Sequence, residues 1–577
     1  MKIVFSFLLI STVFSINAQL LTRYEQSGYK ETATYEEAMS FYRALDEQYD
    51  EVSIVTHGQT DIGIPLNVVL ISTGGEKTPE AIEKSGKAVW LINNAIHPGE
   101  SDGVSASLMF ARDLMKNKKK NKKVLDKVII AIIPFYNIGG ALNRNGTTRV
   151  NQNGPVEYGF RGNARHYDLN RDFIKSDTRN SRSFQELFQV YDPDMFLDTH
   201  VSNGADYQHI MMLLGTQKDK LGGKLGEYVT DVFMPYAFEN MEKKGFSPVP
   251  YVNAWGHTPD KGWTEFVDWP RYSTGYAALF HTVGLMSETH MLKTYQQRVE
   301  STYGLMQIML EFLEGHSDEL IDLREETKLT AAKQKDFEVS WAVDTSRYTP
   351  LMFKGYEPTY IESDISGLKR LKYDHSQPFT KEVKYKNQYV ANKTIKAPKY
   401  YLIPQQWTDV IELLELNQVE MVRLRQDTTI AVESYYIDDY QTSRSPYEGH
   451  YMHSKVKVST TSQTLNFRAG DVLVPVSQWR NRYIVETLEP EAPDSFFAWN
   501  FFDAILQQKE HFSSYVFEDY AVELLEENPE IKSELESAKQ NDPDLAKSAY
   551  MQLEYIYQRS KHREPEYLRY PVFRVMD

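Results

Sequence analysis

The sequence predicts an α/β fold with a mixed, mostly parallel sheet flanked by helices, followed by a β-rich accessory region and a helical C-terminal segment. Two observations lead to this class. Between about residues 50 and 290, short runs rich in Val, Ile and Leu alternate with helix-like stretches, which is the pattern of strands joined by helical crossovers. After about residue 330, segments that alternate apolar and polar residues replace that pattern, and helix-like runs follow at the end. We therefore divide the mature chain into 19–330, 331–496 and 497–577.

The elements follow in order along the chain. In the first region the predicted strands are 66–72, 88–97, 127–137 and 194–200, and the predicted helices are 101–116 and 179–191. Residues 275–290 are expected to form a helix, a glycine turn and a strand, and 295–316 a further helix. Later we expect strands at 336–343, 429–437 and 453–461, a helix near 406–416, and C-terminal helices that begin with FDAILQQKEHF (502–512).

The composition narrows the class of protein. Hydrophobic residues make up 41% of the 577 residues, which is enough for ordinary packed cores. The 80 acidic residues exceed the 64 basic ones, and the net charge of −16 argues against a nucleic-acid partner, which requires a basic surface. Because the chain contains no Cys, disulfides, thiolate metal sites and a cysteine nucleophile are excluded.

The N-terminus has the layout of a secretory signal peptide. Lys2 precedes an uncharged apolar run, residues 3–16, and small Ala18 stands before the first polar stretch. An uncleaved anchor is the alternative, but the run is shorter than the ~20 residues that span a bilayer. We therefore expect a signal peptide at 1–18, cleavage near Ala18 and export to the periplasm or the extracellular space. No later segment is apolar enough to predict a membrane span.

Three predicted strand ends carry residues with metal-ligand or acid–base chemistry. His97 closes the second strand and is followed by Glu100, His200 closes the fourth strand, and Glu288 lies near the end of the strand within 275–290. In an open α/β sheet, ligands bind beyond the carboxyl ends of the strands, so these side chains are expected to share a cleft. Two imidazoles and one carboxylate, with a position left open, are the ligands of a catalytic zinc ion.

The short His-x-x-Glu spacing is weak evidence by itself. It recurs at His316 and Glu319, in a charged stretch next to a helix. His97 and His200 could instead be a pair of hydrogen-bonded structural histidines. The context favours metal ligands, because His97 follows a buried strand, a Pro-Gly turn separates it from Glu100, and His200 ends a second buried strand.

The segment 160–173 concentrates charged and amide side chains in a predicted loop. Arg161, Arg165 and Arg171 surround Asp168 and Asn170 there. A surface salt-bridge cluster is one interpretation. Beside a zinc site, however, the planar fork of Arg171 and the amide of Asn170 are suited to hold a terminal carboxylate through paired hydrogen bonds.

In order and approximate spacing, these motifs resemble those of the zinc carboxypeptidase A/B family, the funnelin metallocarboxypeptidases. The motifs that carry the resemblance are His97-Pro-Gly-Glu100, Arg161, Asp168-Leu-Asn170-Arg171, His200 and Glu288. They span about residues 50–315, so the resemblance implies a zinc carboxypeptidase-like catalytic domain within 19–330. It further implies an exported, bacterial-type enzyme with one Zn²⁺ per chain, which removes C-terminal residues from peptides through a zinc-activated water.

Carried over position by position, the resemblance implies a role for each matched residue. These roles are zinc binding for His97, Glu100 and His200, general base catalysis for Glu288, polarisation of the scissile carbonyl for Arg161, binding of the substrate's terminal carboxylate for Asn170 and Arg171, and orientation of the first zinc-binding histidine for Asp168. The expected partner is therefore a peptide with a free C-terminal carboxylate. The oligomeric state and the preferred C-terminal residue stay open.

Some features depart from the family pattern. Pro-Gly within the first motif is unusual, and Ser202 stands two positions after His200, where the common form has Ser directly after the histidine. The substrate-side tyrosine has three candidates, Tyr251, Tyr272 and Tyr276. Residues beyond 330 do not match the short accessory domain of the vertebrate regulatory enzymes of this family.

Two other functions stay open at this point. One is a zinc amide hydrolase of another substrate class, such as an aspartoacylase-like deacylase or a peptidoglycan peptidase. The other is a catalytically inactive binding homologue, against which the presence of Glu288 argues.

Overall fold

The computed structural model describes residues 20–576. The predicted signal peptide, 1–18, lies outside this range. Within the described residues, no helix combines the length and the apolar composition needed to cross a membrane.

An eight-stranded mixed sheet lies at the centre of the first region. The strands before residue 291 are β1 (Val52–Gln59), β2 (Pro65–Ile71), β3 (Ala88–Asn93), β4 (Val128–Ile133), β5 (Met195–Ser202), β6 (Met211–Gly215), β7 (Pro248–Pro250), β8 (Trp263–Thr264) and β9 (Val283–His290). All except β8 join this sheet, in the order β1-β2-β4-β3-β5-β9-β6-β7. Its middle, β4-β3-β5-β9, is parallel, whereas β2 runs antiparallel to β1 and β4, and β6 runs antiparallel to β9. The mixed, mostly parallel sheet predicted from the sequence is confirmed.

The central strands are apolar throughout because both faces of the sheet are covered. Every residue of β3 and β4 is buried, as expected for parallel strands between two layers. Successive side chains point to opposite faces, so Trp90 and Ile92 lie in one hydrophobic core and Leu91 in the other.

Helices cover both faces of this sheet. The helices up to residue 331 are α1 (Arg23–Gln26), α2 (Tyr35–Gln48), α3 (Pro79–Ser85), α4 (Asp102–Lys116), α5 (Lys122–Leu125), α6 (Ile138–Leu142), α7 (Arg179–Tyr191), α8 (Lys218–Leu221), α9 (Gly223–Tyr228), α10 (Met234–Lys243), α11 (Ser273–Ala278) and α12 (Tyr295–Ala331). Helices α2, α4 and α12 pack in the core that contains Trp90, and α7 and α11 pack in the core that contains Leu91.

Helix α12 is longer than the segment 295–316 predicted from the sequence. Its N-terminus is fixed by a capping box between Thr294 and Gln297. The extension to residue 331 buries Arg324 and Lys328 on the inner face, where apolar residues are expected. Both are paired with Asp192, so their charges are neutralised on burial. Hydrophobic periodicity therefore underestimates the length of this helix.

Two turns near the strand ends also differ from the prediction. Strand β3 ends at Asn93 rather than at His97, because Ala95 has a positive φ of 55°. The predicted glycine turn before β9 is formed by residues 279–282 instead, with His281 at a φ of 59°. Gly284 lies inside β9, where an added Cβ would meet Thr216 Oγ1 at 2.7 Å.

The region 332–576 contains six α-helices and contributes strands to three further sheets. Its strands are β10 (Asp336–Val343), β11 (Thr349–Glu362), β12 (Lys369–Lys386), β13 (Tyr389–Lys396), β14 (Tyr400–Ile403), β15 (Val422–Arg423), β16 (Thr428–Thr442), β17 (His453–Phe467), β18 (Val472–Pro475) and β19 (Phe573–Val575). Its helices are α13 (Thr408–Leu416), α14 (Asn481–Leu488), α15 (Ser514–Glu527), α16 (Pro529–Asn541), α17 (Pro543–Lys547) and α18 (Ala549–Tyr557). The sheets are β10-β13, β11-β12-β8 and β15-β18-β14-β19-β16-β17.

The C-terminal segment is helical only in part. The predicted helix 502–512 is reduced to a short 3₁₀ turn at Asp503–Leu506. Helices α15 to α18 share a small core of their own, with Phe517 and Leu553. The chain then returns to the β-rich region, where β19 inserts between β14 and β16.

The accessory region shares a core with the first region. The core that contains Leu91 and Phe184 continues to Phe337, Leu413 and Tyr483. The contact includes a buried hydrogen bond in which the Tyr276 hydroxyl donates to Asn417 Oδ1 at 2.6 Å. The accessory region is thus packed directly on the helices that support the central sheet.

Candidate metal centre and substrate cleft

The predicted ligands and base converge at the carboxyl ends of β3, β5 and β9. His200 lies on β5 and is the direct register partner of Glu288 on β9. Because these strands are parallel and in register, the two side chains leave the same face of the sheet side by side. His97 lies in the turn between β3 and α4. In this turn the backbone N–H of Glu100 donates to the carbonyl of His97 at 2.8 Å.

The side chains of His97, Glu100 and His200 form a compact buried cluster that could hold a metal ion. One ligand atom of each lies within 4.8 Å of the others, and the three residues are 2%, 3% and 4% exposed. The Nδ1 atoms of His97 and His200 lie 3.3 and 3.1 Å from Glu100 Oε2. The Nδ1 atom of His97 is buried without a hydrogen-bond partner. An orphaned ring nitrogen beside a second imidazole and a carboxylate fits the nitrogen and oxygen donor set of zinc.

The opposite ring nitrogen of each histidine is held by an aspartate. His97 Nε2 lies 2.8 Å from Asp168 Oδ1, and His200 Nε2 lies 2.9 Å from Asp198 Oδ2. These contacts fix each ring with Nδ1 toward the cluster, as carboxylates behind metal-binding histidines do. Against the effect of burial, Asp198 raises the pKa of His200 well above its usual value. Likewise, against burial, His97 holds the pKa of Asp168 well below its usual value.

Glu100 is surrounded by positive charge. Its Oε1 lies 3.0 Å from Arg149 Nη2 and 3.3 Å from Arg161 Nη1, and its Oε2 accepts the N–H of Val201 at 3.0 Å. Against the effect of burial, His97 and Arg149 hold the pKa of the Glu100 carboxyl well below its usual value. This carboxyl is therefore ionised at neutral pH, as a metal ligand must be.

The unusual Pro-Gly turn makes room for the contact between Arg149 and Glu100. An added Cβ at Gly99 would meet Arg149 Cδ at 2.5 Å and the carbonyl of Gly159 at 3.1 Å. A side chain at position 99 would therefore displace Arg149 from Glu100.

Glu288 lines the same cleft as the cluster. Burial raises the pKa of its carboxyl to about 7, and the nearby His200 opposes that rise only in part. A carboxyl with a pKa near neutrality can both accept and return a proton at physiological pH.

The segment Leu169–Arg171 forms a 3₁₀ turn that directs Asn170 and Arg171 into the cleft. The backbone N–H of Ser273 donates to Asn170 Oδ1 at 3.1 Å, and the amide nitrogen of Asn170 lies 3.5 Å from His200 Nε2. The Arg171 guanidinium stacks over the Tyr272 ring, 4.6 Å from its centroid, and donates to the carbonyl of Asn170 at 2.7 Å. These contacts pre-orient the donors of Asn170 and Arg171.

The structure separates the three tyrosine candidates. Tyr251 and Tyr272 line the cleft, whereas Tyr276 is fully buried in the core, where its hydroxyl is bonded to Asn417. The rings of Tyr251, Phe266 and Tyr272 pack in sequence, with centroids 5.7 and 5.1 Å apart. They form one aromatic wall of the cleft.

The cleft has a volume of about 660 Å³ and contains all of the predicted metal and substrate-binding residues. Asp168 lies just behind it, bonded to His97 and Arg161. The floor next to Glu288 is apolar, because Leu214 and Met286 are register partners on β6 and β9 and both line the cleft. Ser202 also lines it. By contrast, His316 and Glu319, which share the His-x-x-Glu spacing, lie within α12 on the surface.

Sequence reasoning missed two residues of this site. Asp198 lies two positions before His200 on β5, and the two-residue period of a strand could have placed both on one face. Arg149 lies in an irregular segment before the cis Gly154–Pro155 peptide, and no local pattern there indicates a contact with Glu100.

An α/β sheet with a His-Glu-His cluster at its strand ends is typical of metal-dependent hydrolases. Residues 38–310 match the family model of the zinc carboxypeptidases, peptidase M14. This segment is a zinc carboxypeptidase domain, and the members of that family are metallocarboxypeptidases and hence hydrolases. The family predicted from the sequence is thereby confirmed.

Two curated relatives that the chain resembles are named carboxypeptidases. The chain is 22% identical to Carboxypeptidase 2 of Trichophyton equinum over 424 residues, which cover 71% of this chain and 72% of the relative. It is 23% identical to Carboxypeptidase 2 of Trichophyton rubrum over 433 residues, again 71% and 72% of the two chains. Among solved structures, a metallo-carboxypeptidase from Burkholderia cenocepacia is similar at a TM-score of 0.37 and 17% identity, over 49% of this chain and 70% of that one.

Proposed function

We propose that this protein is an exported zinc metallocarboxypeptidase that hydrolyses the last peptide bond of peptides with a free C-terminal carboxylate. The observation that carries the proposal is the shared cleft of His97, Glu100, His200, Glu288 and Arg171. It combines a metal-ligand set, a basic carboxylate and a donor for a terminal carboxylate.

The proposed metal is zinc, at one ion per chain. His97 Nδ1, His200 Nδ1 and a Glu100 oxygen would hold it, with Asp168 and Asp198 fixing the two rings from behind. When bound, zinc supplies Lewis acidity that polarises a carbonyl and lowers the pKa of water from 15.7 to about 7. Two imidazoles and a carboxylate leave a position open for that chemistry.

Glu288 is the proposed general base. Its carboxyl, with a pKa of about 7, takes the proton of the attacking water and then delivers it to the leaving amine. Arg161 is proposed to stabilise the negative charge that develops on the scissile carbonyl oxygen. Its side chain is partly exposed to the cleft and is anchored on Asp168 Oδ2 at 3.0 Å, so its donors need little reorganisation during the reaction.

Asn170 and Arg171 are proposed to bind the terminal carboxylate. Arg171 offers parallel N–H donors that match a carboxylate in shape and charge. Its stacking on Tyr272 fixes the plane of the guanidinium. Selective binding of a free terminus at this point would position the preceding peptide bond for attack.

The apolar floor favours an apolar C-terminal side chain. Leu214 and Met286 form this floor, and Phe266 in the aromatic wall lines the same cleft. Burying a large apolar side chain there contributes about 1.5–3 kcal/mol, whereas a charged side chain would be desolvated without a partner. We therefore infer a preference for residues such as Phe or Leu.

Cleavage of a matched pair of N-blocked dipeptides tests this function. One ends in free Phe and the other in Phe amide, and metal content is determined in the same preparation by mass spectrometry. Metal-dependent release of Phe from the acid, but not of Phe amide, supports the proposal. Equal cleavage of both would indicate an endopeptidase or deacylase.

A further inference from the structure

The loop between β16 and β17, residues 443–452, extends from the accessory region to the loop that carries Asp168. Tyr447 and His450 exchange two backbone hydrogen bonds, of 2.8 and 3.1 Å, around Glu448 and Gly449. These two central residues have positive φ values of 49° and 84°, as in the tight type I′ turn of a β-hairpin. The turn therefore holds the Glu448 side chain at a fixed place beside Asp168.

Glu448 completes the contacts of Asp168. Its Oε2 accepts the backbone N–H of Asp168 at 2.8 Å, across 280 positions of sequence. The Asp168 carboxylate accepts from His97 Nε2 at 2.8 Å, from the N–H of Asn170 at 2.9 Å and from Arg161 Nε at 3.0 Å. The carboxylate of Asp168 is thus held by residues of the cleft, and its backbone N–H is held by Glu448 of the accessory region.

Neighbouring contacts keep the 443–452 loop against this position. An added Cβ at Gly449 would meet the Tyr167 hydroxyl at 2.8 Å, so the backbone of the turn lies directly on the residue before Asp168. His450 Nε2 lies 2.8 Å from Asp177 Oδ2. Asp177 also accepts from Lys175 at 2.7 Å, and Lys175 is buried.

We propose that Glu448 is a positioning residue for the pair His97–Asp168, so that the 443–452 loop is a working part of the active site. The hydrogen bond from the Asp168 N–H to Glu448 Oε2 joins the two segments directly. It sets the backbone from which the Asp168 carboxylate reaches both His97 and Arg161. Carboxylates behind metal-binding histidines determine the orientation of the ring and the affinity for the metal. Loss of the Glu448 contact should therefore disturb the orientation of the His97 ring and lower the affinity for zinc. This inference rests on the proposed function, because it assigns His97 to the metal.

The test compares Glu448→Ala with Glu448→Gln in the full chain. Zinc affinity is measured by competition with a chromogenic chelator, and kcat and KM are measured on the free-acid dipeptide. We expect Glu448→Ala to bind zinc ~3–10-fold more weakly, below the ~10–100-fold typical of a direct partner, and to lose kcat with KM nearly unchanged. Glu448→Gln keeps an acceptor oxygen and should retain both values. The exposed Asp439, which pairs with Lys457 on the same hairpin, gives the control Asp439→Ala.

A double-mutant cycle separates positioning from general stability. In the Asp168→Ala background, Glu448→Ala should cause no further loss of zinc affinity, because the residue it positions is gone. If Glu448→Ala does not fold, Gly449→Ala perturbs the same contact through Tyr167 and should lower zinc affinity in the same direction.

Several outcomes would overturn the inference. If Glu448→Ala keeps its zinc affinity and kcat while His97→Ala loses zinc, the positioning role of Glu448 is contradicted. The proposed function then still stands. Equal losses in the Ala and Gln variants also exclude the hydrogen bond as the cause. If the unmodified protein binds zinc but does not cleave peptides, the proposed function fails, and the affinity data still decide the role of Glu448. A protein that binds no zinc overturns both.

Discussion

His200 and Glu288 are direct partners in the parallel pair β5–β9. One strand therefore supplies a candidate metal ligand and the next supplies the candidate base, with the distance between them fixed by backbone hydrogen bonds. Sites built on adjacent strands hold their side chains more rigidly than sites built on loops. The same register places Met286, two residues before Glu288, opposite Leu214 on β6. The register of β9 with β5 and β6 therefore fixes the relative positions of the candidate base, the candidate metal ligand and the apolar floor.

Glu288→Gln should retain zinc and substrate but lose turnover. The amide has nearly the same shape as the carboxyl but cannot take a proton from water. Removal of a general base lowers turnover by ~10²–10⁴-fold. Metal content by mass spectrometry and kcat on the free-acid dipeptide measure both properties. If the Gln variant turns over at the unmodified rate, Glu288 is a structural carboxylate and the base lies elsewhere.

His97→Ala should remove tightly bound zinc and activity while the protein stays folded. The substitution removes the contacts of the ring with Asp168 and Glu100 but leaves the two hydrophobic cores of the sheet intact. Zinc per chain, measured after dialysis against a weak chelator, should fall from about one to near zero.

A matched control exists for this variant. His316 has the same three-residue spacing to Glu319 and a similar contact at 3.2 Å, but it lies on the surface of α12. His316→Ala should keep both zinc and activity. Full activity of His97→Ala, or of chelator-treated protein, would contradict the metal assignment.

The strands of the site could be predicted because their residues are apolar for a single physical reason, burial on both faces of a parallel sheet. The prediction placed His200 and Glu288 on such strands, and the structure has them on β5 and β9. The roles expected for these residues come from the family resemblance and stay predictions until they are tested.

Other parts of the fold gave no local signal. The extension of α12 includes the buried Arg324 and Lys328, which both pair with Asp192, more than 100 positions away. The expected helix at 502–512 is reduced to a 3₁₀ turn, and Phe502 just before this turn packs into the shared core with its ring centroid 4.9 Å from that of Trp407. The contact of Glu448 with Asp168 spans 280 positions. Contacts of this kind depend on the tertiary fold and not on periodicity.

A buried carboxyl outside the site should make stability depend on pH. Burial raises the pKa of Glu265 to about 7, and Tyr385, which donates to its Oε1 at 2.6 Å, opposes that rise only in part. Below pH 4.5 this carboxyl is protonated in both the folded and the unfolded chain. Between pH 4.5 and 7 only the unfolded chain loses the proton, so the stability that this group contributes falls as the pH rises through that window.

Glu265→Gln should remove this pH dependence. The amide is neutral at every pH and can still accept the Tyr385 hydroxyl. Relative to the unmodified protein, the variant should gain about 1–2 kcal/mol in unfolding free energy between pH 5 and pH 8, since one unit of pKa shift equals about 1.4 kcal/mol before solvent screening. Thermal unfolding at both pH values measures this difference. Glu382→Gln, an exposed position on the same strand as Tyr385, is the control; equal behaviour of both variants would contradict the assignment to Glu265.

The apolar floor of the cleft should determine the preferred C-terminal residue. Dipeptides that end in Phe should be cleaved ~10–100-fold more efficiently, by kcat/KM, than those that end in Ala, from the apolar area buried. Met286→Asp places a carboxylate on the floor and should shift the preference toward C-terminal Lys. Met352→Asp, at an exposed position on β11, should not. Preference of the unmodified protein for Lys would contradict this reading of the floor.

Arg171 should distinguish a free carboxylate from an amide at the substrate's C-terminus. Its guanidinium is half-buried and stacked on Tyr272, so loss of the substrate charge leaves a partly desolvated cation without its partner. This costs on the order of 2–4 kcal/mol, or ~30–1000-fold in kcat/KM. The unmodified protein should therefore cleave the acid faster than the amide by this factor.

The decisive measurement is the non-additivity of the two changes. Arg171→Ala should reduce cleavage of the acid by a similar factor but hardly alter cleavage of the amide, because the interacting group is already absent. Arg165→Ala is the matched control: Arg165 lies in the same loop, but it bonds the carbonyl of Asp177 at 2.7 Å and stacks on Tyr167 instead of lining the cleft. It should preserve the difference between acid and amide. If Arg171→Ala lowers cleavage of both substrates equally, the arginine acts on protein structure and the terminal carboxylate is bound by another group.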